Sequence, residues 1–422
     1  MRKRIGIILA AVLFCLGIAG CAAQQAPRAE GSAQTADAER KTRDAETEET
    51  ESRAELEVWT FYDRNVPGYY YMFLWDDLAR EYGVTLDVRN YPVADMENRL
   101  SLALVSGELP DVFFCEGGTS LEPFLQSGVC EATDRYLSGI QLEERFRETY
   151  RDGKNYVIPC VVDDYAVVYY DRVMLEKLGL EIPETWEDLE SLVKTVREYN
   201  KKNKTSYSAI SFGGKDGYEG ELLLDLLTLQ SDREDAAGKI LRLNALGAFS
   251  PDYMETGDDE AMTNFINHNS VMLVSHSASL QHLIWNMGDG FVPGVFPGGK
   301  KKNGTYSMMR LWDGIPPGLC INSASPDKEL AGRICISYLK RINEENVKVG
   351  GLSILADETA KAGRVHAQRI AMKYLIEHAA KTEAAPGTTL DPDEKKKLRS
   401  LTKGLLSGRL SREEFVEDLH ES

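Results

Sequence analysis

Closely spaced cysteines are missing from this chain. It has seven cysteines in 422 residues and no CxxC spacing, which argues against a zinc ribbon or a thioredoxin-like site. Histidine is scarce as well, with six in all. No HExxH occurs, and His276 and His282 stand six apart, a poor spacing for two ligands on one helix face. GxSxG is also absent, so no serine-hydrolase elbow is visible. Clustered basic charge is lacking: the net charge is −18. General nucleic-acid binding needs grouped Lys and Arg to neutralise phosphates, so that class is excluded. No internal repeat is visible, and after residue 20 no apolar run reaches the length of a membrane span.

What is present begins at the first residue. Arg2, Lys3 and Arg4 precede an almost wholly apolar run from Ile5 to Ile18. That run is short for a stable span and suits a signal-peptide core. Ile18-Ala19-Gly20-Cys21 closes it with small residues before a cysteine, the pattern of a bacterial lipoprotein signal. Residues 1–20 are therefore expected to be removed and Cys21 to be lipidated. Removal takes three basic residues and no acidic one, so 402 residues remain and the charge moves from −18 to −21. Residues 22–54 hold no aromatic and almost no large aliphatic residue. Such a stretch cannot bury enough apolar surface to offset its ordering entropy, and 21–54 is read as a lipidated, disordered tether. Five cysteines then remain, namely Cys115, Cys130, Cys160, Cys320 and Cys335. Most flank apolar residues and read as small buried hydrophobes.

The globular part starts at Leu56-Glu57-Val58-Trp59, a short apolar strand. A helix over about 69–82, a strand over 84–90, a helix over 96–106 and a strand at Asp111-Val112-Phe113-Phe114 follow. Gly107 ends the second helix, and Pro110-Asp111 fixes the turn into the strand. Alternating strand and helix predict an α/β sheet. The second half is richer in helix, with spans predicted at 184–200, 219–230, 258–267, 326–343, 364–381, 391–406 and 411–420. Thr185 is placed as an N-cap with Asp188 three positions on, a capping-box pattern. Trp186 beside it is read as a packing residue.

Several stretches together resemble the extracellular solute-binding proteins of ABC importers, in the branch that includes maltose-binding protein. They are Asn98-Arg99-Leu100 through Ser106-Gly107-Glu108-Leu109-Pro110-Asp111-Val112, then Asp152-Gly153-Lys154-Asn155-Tyr156-Val157-Ile158-Pro159. Tyr169-Tyr170-Asp171, Leu178-Gly179-Leu180 and Glu184-Thr185-Trp186-Glu187-Asp188-Leu189 continue the series. Phe265-Ile266-Asn267 to Val271-Met272-Leu273, Ile321 to Pro326, and Leu405 to Gly408 with Phe415 complete it. Each is weak alone; their order and spacing are specific, and they cover nearly all of 56–422. The resemblance implies an α/β, two-lobed periplasmic-binding-protein-like fold of type II, with a ligand cleft between the lobes. The expected first lobe is 55–161 plus 318–363, and the second is 162–317 plus 364–422. Ligands of open α/β sheets sit beyond the carboxyl ends of strands, and closure around them is a hinge motion.

The implied function is capture of a solute, expected to be a mono- or oligosaccharide, and its delivery to an ABC permease. Neither a cofactor nor a metal is expected, and the chain is expected to act as a monomer on the extracytoplasmic face of the cell membrane. A sugar asks for polar side chains along its hydroxyls and aromatic planes along its C–H faces. Loops at predicted strand ends offer Tyr62, Asp63 and Arg64; Glu116; Asp163, Asp164 and Tyr165; His276; and Trp312 with Asp313. Asp63, Arg64 and Asp163 match positions of charged sugar contacts in the family. Trp285, in a segment that reads as a helix, is balanced between site and surface. Cys115 and Ala278 fall where maltose-binding protein has stacking tryptophans, which weakens the case for a maltodextrin. Two other functions stay open: an exported carbohydrate-active hydrolase, and a sensor of the same fold that presents ligand to a membrane kinase. Asp163 and Asp164 are adjacent in sequence, not opposed across a cleft, which disfavours the hydrolase.

Overall fold

A computed structural model of the protein describes residues 54–420 apart from 63–67, 162–163, 216, 360 and 362. The signal, Cys21 and the tether lie outside the described residues, as do Asp63, Arg64 and Asp163. Two sheets organise the rest, and strand alternation explains how each is buried on two faces. In β3 (Val112–Cys115), Val112 and Phe114 join one apolar cluster while Phe113 and Cys115 join another. β5 (Tyr165–Asp171) does the same, with Val167 and Tyr169 on one face and Ala166, Val168 and Tyr170 on the other. Side chains alternate across a strand, so an unbroken apolar run needs cover on both sides.

The first sheet has the order β2-β1-β3-β10-β4. β1 (Glu55–Tyr62) lies parallel to β2 (Thr85–Pro92) and to β3, while β10 (Gly318–Ile321) is antiparallel to β3 and to β4 (Ile158–Pro159). Helices α1 (Gly68–Tyr82) and α2 (Val93–Ser106) connect its parallel strands. The second sheet has the order β11-β9-β5-β7-β6, with β8 also pairing β5. It comprises β6 (Ser208–Ser211), β7 (Ser270–His276), β8 (Phe291–Gly294), β9 (Ser307–Arg310) and β11 (Lys381–Ala384). The helices that run between these strands are α3 (Arg172–Leu178), α4 (Trp186–Asn203), α5 (Tyr218–Thr228), α6 (Arg233–Leu246), α7 (Asp258–Ile266) and α8 (Leu280–Met287). α9 (Lys328–Lys348) packs on the first sheet. α10 (Ala367–Glu377), α11 (Pro392–Leu406) and α12 (Arg412–His420) pack with the second. The result is the two-lobed α/β fold that the sequence implied.

Local rules hold where they were read. α4 opens on the Thr185–Asp188 capping box, with Asp188 N donating to Thr185 Oγ1 at 3.1 Å and Thr185 N donating to Asp188 Oδ2 at 3.0 Å. Trp186 packs against the core of the second lobe. The Asp111 carboxylate accepts from Glu57 N at 2.8 Å and Ser325 Oγ at 2.6 Å, so it ties the helix-to-strand turn to two other segments. The five cysteines are free and buried. α6 escapes the sequence reading because its buried stripe is Ala236, Ala237, Ile240 and Leu243, half of it small residues. Its borders are nevertheless coded, by Asp232 as N-cap and Gly247 as a left-handed C-cap.

Candidate functional site

The strand ends of the two lobes approach each other. β1 ends at Tyr62 and β3 ends at Cys115, which hands over to Glu116-Gly117-Gly118. On the other side, β7 ends at His276, paired with Ala166 at the start of β5. This is where an open α/β sheet offers room for a ligand.

The first wall is built by a tight glycine turn. Gly117 has φ +75°, and a Cβ there would stand 2.2 Å from the Ile315 carbonyl oxygen. Only glycine permits both the conformation and the approach. Gly118 N donates to Ile315 O at 3.0 Å and completes the anchor. Glu116, immediately before this turn, keeps an exposed face. Lost solvation pushes its carboxyl up; Lys395 opposes this, Glu97 and Asp164 add to it, and Arg399 opposes it. Lys395 and Arg399 belong to α11, so Glu116 faces the second lobe.

The second wall gathers acids around His276. Asp164 Oδ1 lies 3.7 Å from His276 Nδ1. The His276 backbone is pinned, since Tyr169 Oη donates to His276 O at 3.0 Å. Glu219, near the start of α5, is buried, and its carboxyl sits well above the ordinary range because of that burial. Repulsion from the neighbouring Asp258 carboxyl raises it further, while His276 pulls it down. Deeper in α5, burial followed by repulsion from Glu221 pushes Asp225 up to about 7. Glu221 is clamped by Arg399, with Nε to Oε1 at 3.0 Å and a second nitrogen to Oε2 at 3.4 Å. The arrangement can donate and accept several hydrogen bonds at once, which is what a polyhydroxyl ligand requires.

The sequence-predicted residues divide. Glu116, Asp164 and His276 are brought to the facing strand ends. Asp313 stays partly exposed and accepts from Arg310 at 3.1 Å, next to the Gly118 turn. Tyr62 closes β1, and its side chain lies outside the described ones. Tyr165 and Trp312 depart from expectation. Tyr165 is buried in the core, and its N–H donates to Ser277 Oγ at 3.1 Å. Trp312 is 4% exposed, stacks on Phe146 at 5.7 Å and carries the Arg310 guanidinium 4.2 Å over its ring. The chain crosses between sheets here, and the junction needs an apolar plug, so an aromatic in a polar-looking loop became core. Trp285 remains 61% exposed on α8. Glu219, Asp258, Lys395 and Arg399 were not foreseen. Acids in a first helical turn read as dipole partners, and a Lys395-Lys396-Lys397 run reads as a solvated face.

Among the described residues, no three His, Cys, Asp or Glu are placed to hold a metal ion, and no helix is long and apolar enough to cross a membrane. Comparison with known proteins decides the family. A profile described as bacterial extracellular solute-binding protein matches residues 74–340. The chain belongs to that family. Its members act outside the cytoplasm, which fixes the compartment coarsely. Among curated proteins, the multiple sugar-binding protein of Streptococcus mutans is 26% identical over 188 residues, 43% of this chain and 41% of the relative, so the match spans less than half of that protein. A structure from work on xylan utilization by Caldanaerobius polysaccharolyticus aligns with TM-score 0.76 at 20% identity, covering 87% of this chain and 99% of the other. A chitin oligosaccharide binding protein aligns with TM-score 0.75 at 16% identity, covering 87% and 98%. A Thermotoga lettingae solute-binding protein bound to α-D-tagatose aligns with TM-score 0.71 at 17% identity, with the same coverages. At these identities the structures establish the shared two-lobed fold.

Proposed function

We propose that this solute-binding protein captures a carbohydrate and hands it to an ABC permease, without chemistry on the ligand. The observation that carries the proposal is that Glu116 follows a strand end of one lobe, within electrostatic reach of Asp164, which pairs with His276 at a strand end of the other; Glu219 lies behind them. The names of the relatives, which mention sugars and oligosaccharides, support the ligand class. In this reading Tyr62, Asp63, Arg64, Asp163 and Asp313 complete the rim, and Tyr165 and Trp312 support it from behind. The lobes run over 55–161 with 318–363 and over 162–317 with 364–422. Glu219 and Asp258 are neighbours within one lobe, whereas glycosidic cleavage uses carboxyls roughly 5 Å or more apart on either side of the bond. That favours binding over hydrolysis.

Lipid on Cys21 would hold the receptor at the extracytoplasmic face of the membrane as a monomer, and the tether would keep it near its permease at high effective concentration. Durable attachment needs more than one acyl chain, which lipoprotein processing supplies. The test is a thermal-shift panel of mono- and oligosaccharides, with chromatography of the bound ligand afterwards. A sugar-dependent rise in melting temperature with intact ligand is expected. A rise with peptides or polyamines and with no sugar would remove the carbohydrate class, and recovery of a cleaved product would remove the transport role.

A further inference from the structure

Hydrogen bonds cross between the lobes at the turn that follows β3. The one-turn helix Gly118–Leu121 follows β3 of the first lobe. The one-turn helix Pro386–Thr389 follows β11 of the second and leads into α11. Thr119 Oγ1 donates to Leu390 O at 2.7 Å, with Thr388 O as a second, longer acceptor at 3.3 Å. Lys395 Nζ donates to Ser120 Oγ at 3.0 Å. The two turns touch closely: a Cβ on Gly118 would meet Thr388 O at 3.6 Å and Asp313 O at 3.2 Å.

Both ends of this contact are braced by their own lobes. On the first side, Gly118 N is fixed to Ile315 O. On the second, α11 opens on a capping box in which Asp391 Oδ1 accepts from Asp393 N and Glu394 N, both at 2.9 Å, and Glu394 reaches back to Asp391 N at 2.9 Å. Two preformed turns therefore dock, and little ordering entropy opposes the contact. Ligand supplies none of these bonds.

We propose that Thr119, Ser120 and Lys395 form a polar strap that holds the two lobes together before ligand arrives and so sets the apparent affinity of the cleft. They are positioning residues, since they act on the lobe arrangement. A binding-competent arrangement that is only partly populated weakens apparent affinity by its population, so a strap favouring that arrangement strengthens binding. Glu116 stands three residues before Thr119 and faces the same Lys395, which couples the strap to the first wall of the cleft.

The test needs no ligand and so stands apart from the carbohydrate assignment. The full chain carrying Cys15→Ser and Cys21→Ser is spin-labelled at Leu102→Cys and Ile370→Cys, exposed positions on α2 and α10, while the other five cysteines, Cys115, Cys130, Cys160, Cys320 and Cys335, are buried. Dipolar spectroscopy then reads the distance between the lobes. The wild-type background is expected to give one narrow distribution. Thr119→Val with Lys395→Met should move the short-to-long population ratio about tenfold toward long distances, the effect of losing roughly one net hydrogen bond. Thr119→Ser should keep the wild-type distribution, because it retains the donor. If the double variant is too poorly folded to measure, Thr119→Val alone should give a smaller shift of the same sign. An unchanged distribution in Thr119→Val, or equal shifts in Thr119→Ser and Thr119→Val, overturns the proposal.

Discussion

The two walls of the cleft use the same residue type in opposite settings. On the first, Glu116 rides on a glycine turn pinned by backbone contacts, with water on one face and α11 cations ahead of it. On the second, Glu219 and Asp225 sit inside a helix that packs into the lobe, and both are buried. A carboxyl in a wet cleft can be tuned by charges that move with the lobes. A carboxyl inside one lobe answers to burial, whatever the lobe arrangement. Closure should therefore be felt at Glu116 and hardly at Asp225.

The largest effect is expected where the walls are joined. Trp312→Ala removes a buried ring from the junction with Phe146 and should cost about 3–5 kcal/mol of unfolding free energy, measured by denaturant titration. A loss below about 1 kcal/mol would return Trp312 to the list of ligand platforms. A smaller and more selective effect is expected at the face of the second wall. Asp164→Asn keeps the shape but weakens the pairing with His276, and should lower sugar affinity about tenfold with a melting temperature within about 2 °C of the wild type. If both move together, Asp164 is part of the scaffold.

The smallest effect isolates the second wall. Asp225 is pushed up to about 7 in the folded protein, against about 3.9 for an unfolded Asp. Between those values the folded state keeps a proton that the unfolded state has lost. Stability therefore falls as pH rises through that window and levels off above about 7. Asp225→Asn should remove this part of the slope in melting temperature against pH. A slope that persists unaltered would assign it to other buried acids, Glu219 first.

Much of the fold was legible because it is local. The Thr185–Asp188 box, the Gly107–Pro110 stop and the β3 run each depend on neighbours within a few positions. The first wall was partly legible for the same reason, since Glu116 directly follows a buried strand. Tyr165 was misread because a strand's first residue can face either the cleft or the core, and only the packing of both lobes settles which.

Sequence alone determined the alternation of strand and helix, the Thr185 cap and Gly107 stop, the family, and the expectation of a leader of residues 1–20 removed ahead of Cys21. Those follow from steric and hydrogen-bonding preferences that act over a few residues, or from motifs kept in order. Only the tertiary structure decided that Trp312 plugs the junction, that Glu219 is buried near Asp258, and that Thr119 reaches Leu390 across 271 positions. Burial, and with it the cost of a charge or the gain from an aromatic face, depends on what the rest of the chain places alongside, and no short stretch of sequence contains that.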